Sequence, residues 1–439
     1  MEDGRSSGPF KLLDVKDEEL PTEPHLHPHG KSSLLGSIFT LTNTILGSGT
    51  LAVPYAISCS GYLLGQVVML LLALITQYSV KLLVQASEMA GTTTDGKTYE
   101  SLGHFTMGKY GTWIAEFTFI FGGFGTLVSY FMFIGDLLRV ALQLPSSYDT
   151  SILVICTVGL IMPMSLSRRI GQLQFTSLLA TVSIAYVVAF TFVAWRLFDE
   201  NVGFPNLPLQ AVHLDTNSVY TVTLLMAAFA CHNTTLPVYE ELERRSFKRM
   251  QVATRAAIGT AFTLYTIIGL SGYASFRGAT MDNLLLNYTE ELLQIYPEIS
   301  IYLRIGRLCM ASALLLTVPI ALWPFRSCLC SVYLRMKTGK QLPSSATSFI
   351  EYISITLIAE SLILFCAMIV PSVKIPLSIV GSVAGSLIIF ILPSLFYMLQ
   401  RPEPIFSWVH FGPLLLLFSG FIVGIVGFSM TVSSLISGE

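Results

Sequence analysis

The 439-residue chain is 53% hydrophobic and 12% charged, with a mean hydropathy of +0.66 and a formal net charge of −2. An ordinary soluble domain carries about 25% charged residues, so this composition excludes a soluble globular protein and indicates an integral membrane protein. The near-zero total gives no reason to expect a nucleic-acid partner, and the seven cysteines, odd in number and set in or beside apolar runs, imply no disulfide framework.

In chain order, residues 1–32 are polar, with Pro21, Pro24 and Pro28 among three alternate histidines, and are expected to form a disordered cytoplasmic tail. Met1-Glu2-Asp3 lacks the basic start of a cleaved signal peptide. Residues 33–439 are then the transmembrane domain. Eleven apolar runs of roughly membrane length follow: 33–58, 63–86, 113–142, 151–165, 174–198, 217–238, 253–276, 299–323, 348–370, 375–399 and 408–435, the fourth being short. With the tail inside, the inner loops hold Lys97, Lys109, Arg168, Arg169, Arg244, Arg245, Lys248, Arg249, Arg326, Arg335, Lys337, Lys340 and Arg401, against Arg277 and Lys374 outside. This bias sets the orientation. It also puts the sequon Asn287-Tyr288-Thr289 outside, making Asn287 a candidate glycan acceptor.

The first run contains Asn43-Thr44-Ile45-Leu46-Gly47-Ser48-Gly49-Thr50-Leu51-Ala52-Val53-Pro54, which is built to break a helix. Each glycine weakens a helix by about 1 kcal/mol relative to alanine, and Pro54 favours a fresh start. In hydrocarbon such a break is tolerated only against protein or a cavity. The sixth run carries a second break, Cys231-His232-Asn233-Thr234-Thr235-Leu236-Pro237, and runs in the opposite direction through the membrane. Two breaks so related suggest inverted repeats with a site between them. The expected halves are about 33–198 and 217–399, with 408–435 as an extra crossing.

A half-helix start offers backbone N–H groups to a carboxylate, while carbonyls freed at Gly47, Ser48 and Cys231 to Asn233 suit a cation or an ammonium group. A zwitterion uses both, so a free amino acid is the expected substrate. The candidate substrate residues are Gly47, Ser48, Gly49, Thr50, Cys231, His232 and Asn233, with Tyr130 and Phe229 nearby. Close helix packing is the competing explanation for the glycines. No phosphate-cradling loop, metal-spaced Cys/His cluster or hydrolytic triad survives the topology, so the chain is read as no enzyme, without cofactors, and driven by a gradient.

The blocks Asn43–Gly49 with Pro54-Tyr55, Cys231-His232 with Leu236-Pro237-Val238-Tyr239 and Glu241-Leu242, and Leu316-Thr317-Val318-Pro319 with Pro324–Ser327 resemble the amino acid/auxin permease family. Within that family they resemble the sodium-coupled neutral amino acid transporter branch, over nearly all of residues 33–435. The resemblance implies an all-α leucine-transporter-like fold with about eleven transmembrane helices in a 5+5 inverted repeat plus one, helices one and six broken, working by alternating access. It also implies a Na⁺ site at Asn43 and Thr317 completed by backbone oxygens near Gly47. Where the family pattern often has Thr-Leu-Thr-Val-Pro, Leu315 here replaces the first hydroxyl, which leaves H⁺ coupling open. Glu360, within the ninth run, and His232 are the candidate proton carriers. The expected function is secondary active transport of neutral amino acids coupled to Na⁺ or H⁺, by a monomer in the plasma, lysosomal or vacuolar membrane. An amino acid sensor on the same scaffold is the alternative.

Overall fold

The computed structural model describes residues 32–47, 49–91, 98–166, 174–198, 207–340 and 344–437. The tail, Ser48, Lys97, Arg168 and Arg169 lie outside these residues. In hydrocarbon every backbone polar group must be satisfied within the protein, so the apolar runs become helices. They are α1 (Leu34–Ile45), α2 (Gly49–Ser58), α3 (Tyr62–Met89), α4 (Tyr99–Ala141), α5 (Asp149–Cys156), α6 (Met162–Ser165), α7 (Gln174–Leu197), α8 (Ser218–Phe229), α9 (His232–Glu241) and α10 (Phe247–Phe276). They continue through α11 (Glu290–Ile295), α12 (Ser300–Thr338), α13 (Phe349–Ile369), α14 (Lys374–Ile379), α15 (Leu392–Met398) and α16 (Trp408–Ser437). Polar caps mark where chain leaves the apolar runs. Ser33 accepts from Gly36 N ahead of α1, Ser348 and Glu351 form a capping box on α13, and Gly339 ends α12 at φ 70°.

Among the described residues nine helical stretches are long and apolar enough to cross a membrane, and the bent pair α1/α2 makes a tenth. The sequence leads one to expect eleven. The difference lies in the fourth run, where Thr150–Ser165 forms only a short apolar helix with a π-helical turn at Thr157–Ile161. At 1.5 Å per residue it extends about 24 Å, short of a hydrocarbon core of about 30 Å. The outward face of α16 is apolar: Phe411, Leu415, Phe418, Ile422 and Ile425 are all exposed. Spaced three or four residues apart, they form one stripe suited to lipid.

Inside the bundle, polar groups tie the helices together. The two terminal guanidinium nitrogens of Arg335 in α12 donate to the Glu116 carboxylate of α4, at 2.9 and 2.5 Å. A chain of hydroxyls runs from Thr223 in α8 to Ser378 in α14 (2.6 Å) and on to Thr431 in α16 (2.9 Å). Between α14 and α15 the chain winds as a π-helix over Val380–Ile391, so Lys374 to Met398 is one continuous crossing with a widened centre. The wide turn brings backbone carbonyls within reach of other helices. Ile388 O accepts from Tyr99 Oη (3.1 Å), and Ile389 O accepts from Ser79 Oγ.

One loop assignment needs correction, and the candidate glycan acceptor is a buried side chain. Arg326, read as a loop charge, is 3% exposed inside α12. Asn287, read as a glycan acceptor, is buried, with Nδ2 donating to Ala279 O (2.8 Å) and Oδ1 accepting from Met281 N (2.8 Å). Its amide is engaged in holding the turn, and the neighbouring Tyr288 is 1% exposed.

Candidate functional site

The two breaks meet at the centre of the bundle. α1 and α2 are bent by 53° to one another. The turn between α8 and α9 is made by Ala230 (ψ 96°) and Cys231 (φ −115°, ψ 2°). α1 packs beside α9 and α2 beside α8, which is the arrangement of two broken helices running antiparallel. Gly49 is the point of closest approach. A Cβ there would lie 2.7 Å from Ala228 Cβ and 2.9 Å from Ala228 Cα, so a side chain has no space. Outside the membrane the same two elements are joined again, because Ser32 N donates to Glu241 O and Glu243 N to Ser32 O, both at 2.9 Å.

The carbonyls that the breaks release find several partners. Thr50 Oγ1 donates to Leu46 O (2.9 Å), Thr235 Oγ1 to Cys231 O (3.1 Å), and Thr50 N to Gly47 O (3.2 Å). Tyr265, fully buried in α10, places its hydroxyl 2.5 Å from Ile45 O and 3.2 Å from Ala228 O, one carbonyl from each break. Its single proton is shared between them. Tyr265→Phe leaves both carbonyls without this donor, and the cost of a buried unmade hydrogen bond is about 1–3 kcal/mol. The expected result is a lower melting temperature in detergent together with slower uptake, checked by thermal unfolding of the purified variant beside flux in vesicles.

Between the breaks lies a cavity of about 180 Å³. One water needs roughly 10–15 Å³ by such a measure, so the space admits a small organic molecule. Its wall contains Asn43, Gly47, Gly49, Asn233, Tyr130 and Thr317, six of the residues singled out in the sequence. The floor and far side come from α4 and α12 with Thr118, Gly122, Thr126 and Phe325, and from the π-helical segment with Val380, Ala384 and Ile388. Among the described residues no Asp, Glu, Lys, Arg or His lines it. Among the described residues the Asn43 amide makes no hydrogen bond, and Thr317 Oγ1 donates its proton to Ala313 O (2.7 Å), which leaves oxygen lone pairs of both for a ligand. Thr44 Oγ1 and Thr234 Oγ1, 3.4 Å apart, bridge the two breaks at its edge.

Other expected residues sit behind the wall. Phe229 is buried edge-on against Tyr265, with ring centroids 5.3 Å apart. Thr50 and Cys231 are buried and turned away from the cavity. His232 is fully buried with Nε2 3.0 Å from Ser79 Oγ. The Ser79 proton goes to Ile389 O, so Nε2 carries the hydrogen and donates to Ser79. His232 thus joins α9 to α3 and the π-helical segment. Glu360 lies elsewhere in the bundle. Tyr265 and the π-helical wall are the functional residues that sequence reasoning missed. The small-residue pattern Gly381-x-x-x-Gly385 was the visible signal for the latter.

The sequence matches the family described as "Transmembrane amino acid transporter protein" over residues 30–437. It is also similar to the sodium-coupled neutral amino acid symporter 2 of Danio rerio, at 28% identity over 467 aligned residues, covering 96% of this chain and 89% of that protein. Both are transporters and not enzymes. With its membrane-length helices and a family match over nearly its whole length, this integral multi-pass membrane protein belongs to the amino acid/auxin permease family of transmembrane amino acid transporters.

Proposed function

We propose that the protein is a secondary active transporter that carries neutral amino acids by alternating access, coupled to Na⁺. The observation that carries this reading is an uncharged cavity bounded by two helix breaks. The N-terminal end of α2 faces a substrate carboxylate and the C-terminal end of α1 faces an ammonium group, so the zwitterion is held without a charged side chain. A charged substrate side chain would have no partner in this wall and would be rejected by its desolvation cost. Asn43 and Thr317 supply neutral oxygens on opposite sides, which suit a hard monovalent cation in a site without carboxylates. The Danio rerio relative is a sodium-coupled symporter, in line with this choice.

The way the breaks are tied supports alternating access. α1 and α9 are clamped at one end through Ser32, and α2 and α8 meet at Gly49, so the two broken helices move as one body within a 5+5 repeat of residues 33–198 and 217–399. At the end assigned to the outside, Asp282 accepts from Ser372 Oγ (2.6 Å) and Lys374 N (3.0 Å), and the Lys374 ammonium lies 5.3 Å and 5.9 Å above the rings of Tyr220 and Tyr55. These contacts join α2, α8 and α14 and must part for that end to open.

The test is uptake of labelled neutral L-amino acids into proteoliposomes under an inward Na⁺ gradient. Replacing Na⁺ with choline is expected to lower uptake by about tenfold or more, the loss of one favourable ion contact of about 1.4 kcal/mol. Excess alanine should compete, and aspartate or lysine should not. Substrate binding with no uptake under any imposed gradient would sink the transporter reading in favour of a sensor.

A further inference from the structure

The polar groups around Glu360 make a second site, apart from the central cavity. The buried face of α13 is Tyr352, Thr356, Ala359, Glu360, Ile363 and Ala367, spaced three or four residues apart except for the adjacent pair Ala359 and Glu360. Glu360 is 0% exposed, and neither carboxylate oxygen has a hydrogen-bond partner among the described residues. Two groups face it from other elements: the Ser165 hydroxyl at the end of α6, itself buried without a hydrogen-bond partner among the described residues, and the Arg326 guanidinium of α12. The guanidinium donates to the Ser165 carbonyl and lies 4.4 Å from the Tyr352 ring centroid.

Three other acidic groups on these helices are engaged. On α4, which also packs against α13, Glu116 is bound by Arg335, and Glu100 accepts from Cys328 Sγ at 3.0 Å. On α13 itself, Glu351 is paired with Lys337 at 2.5 Å. A cavity of about 230 Å³ lies over Arg326, between α12, Tyr352 and the turn containing Ser345 and Thr347, at the end assigned to the cytoplasm. Glu360 is two helical turns deeper than Tyr352.

An ionised carboxylate in a membrane interior is costly unless it is paired and hydrogen-bonded. Here neither oxygen has a hydrogen-bond partner among the described residues, although a cation and a hydroxyl stand beside it. The arrangement therefore accommodates the neutral acid, and the partners that ionisation would demand are already in place.

We propose that Glu360 is a proton-binding site that exchanges with the cytoplasmic side through the cavity over Arg326 and makes transport depend on the pH of that side. On deprotonation the Glu360 O–H bond breaks and the proton leaves to water in that cavity. Arg326 stays protonated and turns from the Ser165 carbonyl and the Tyr352 ring toward the new carboxylate, with Ser165 donating to it. Because α6, α12 and α13 meet at this point, the exchange alters how they pack behind the Thr317 wall.

Proton binding is tested without reference to transport, by the acid-minus-alkaline infrared difference spectrum of the full-length protein in lipid. Wild type should show a carboxylic-acid carbonyl band that Glu360→Gln removes. Arg326→Gln should move its midpoint up by about one pH unit or more, since it removes a cation that favours the carboxylate. Identical difference spectra for wild type and Glu360→Gln would overturn the proposal. The transport half rests on the function proposed above. It is read from uptake against internal pH, where the wild-type profile should slope and that of Glu360→Gln should be flat, while Glu360→Asp retains a slope. An unchanged profile in Glu360→Gln would refute that half. A carboxyl band in a protein that moves no amino acid supports the proton site and counts against the transporter reading alone.

Discussion

Gly49→Ala is expected to reduce uptake by about one to two orders of magnitude while leaving the protein folded and inserted. The added methyl would sit 2.7 Å from Ala228 Cβ and 2.9 Å from its Cα, and the latter, a backbone atom on another helix, has no rotamer by which to yield. α2 must then move off α8, and forcing an extra methylene-sized group into a packed contact costs about 1–3 kcal/mol. That cost falls on conformations in which the two breaks touch, so it shifts the balance among transport states, at about 1.4 kcal/mol for each tenfold change in population or rate. Gly47→Ala is the informative companion. Its Cβ would meet only the Tyr130 hydroxyl, at 2.5 Å, and that atom is the end of a side chain. The loss there should be smaller and partly restored by adding Tyr130→Phe, whereas no single side-chain change restores Gly49→Ala. Gly259, with nothing within 4 Å of a built Cβ, serves as the control, and Gly259→Ala should transport as wild type. Flux normalised to the amount of protein in the membrane decides the matter. Normal flux in Gly49→Ala would mean that the approach of the two breaks is not part of the transport cycle.

The breaks themselves were legible because they violate local rules in a setting that punishes violation. Glycines, hydroxyls and a proline inside an apolar run have few explanations in hydrocarbon, and both runs did break, after Ile45 and at Ala230–Cys231. The antiparallel meeting of the two was readable from the four runs, an even number, that lie between them. Side-chain direction was not. Asn43, Gly47, Gly49, Asn233 and Thr317 reach the cavity, while Thr50, Cys231 and His232 turn behind it. In an unwound turn neither the 3.6-residue nor the 2-residue period applies, so nothing in the residue order says which way each side chain points. The widened helix at Val380–Ile391 was equally hidden, because a π-helix uses the same apolar residues as an α-helix. Tyr265 escaped notice for a third reason. A lone tyrosine in an apolar run most often packs, and only the positions of Ile45 O and Ala228 O reveal that its hydroxyl serves both breaks. The short fourth run shows the limit of counting, since among the described residues its helix covers only Thr150–Ser165, below the usual length of a crossing.

Thr317→Ala and Asn43→Ala should each raise the Na⁺ concentration needed for half-maximal uptake by about tenfold or more. A contact between a neutral oxygen and a charged partner is worth about 1.5–3 kcal/mol, and 1.4 kcal/mol is one decade. The Thr317 hydroxyl has its hydrogen committed to Ala313 O, so Thr317→Ser should keep the oxygen in place and retain most of the affinity, while Thr317→Val, similar in shape without the oxygen, should behave as alanine does. If both residues hold one ion, the double variant should lose less than the sum of the two single losses, because the second removal finds the site already empty. Leu315, which stands where the family pattern often has a threonine, bears on the same point. It packs against the core and is absent from the cavity wall, two positions from Thr317 on α12 and so on a different face of the helix. The hydroxyl missing at 315 therefore does not open a gap in this wall, and Leu315→Thr should leave the Na⁺ requirement unchanged within about twofold, well under the decade expected at Thr317. Tightening by Leu315→Thr, with no effect of Thr317→Ala, would move the ion to another face of α12 and away from Asn43.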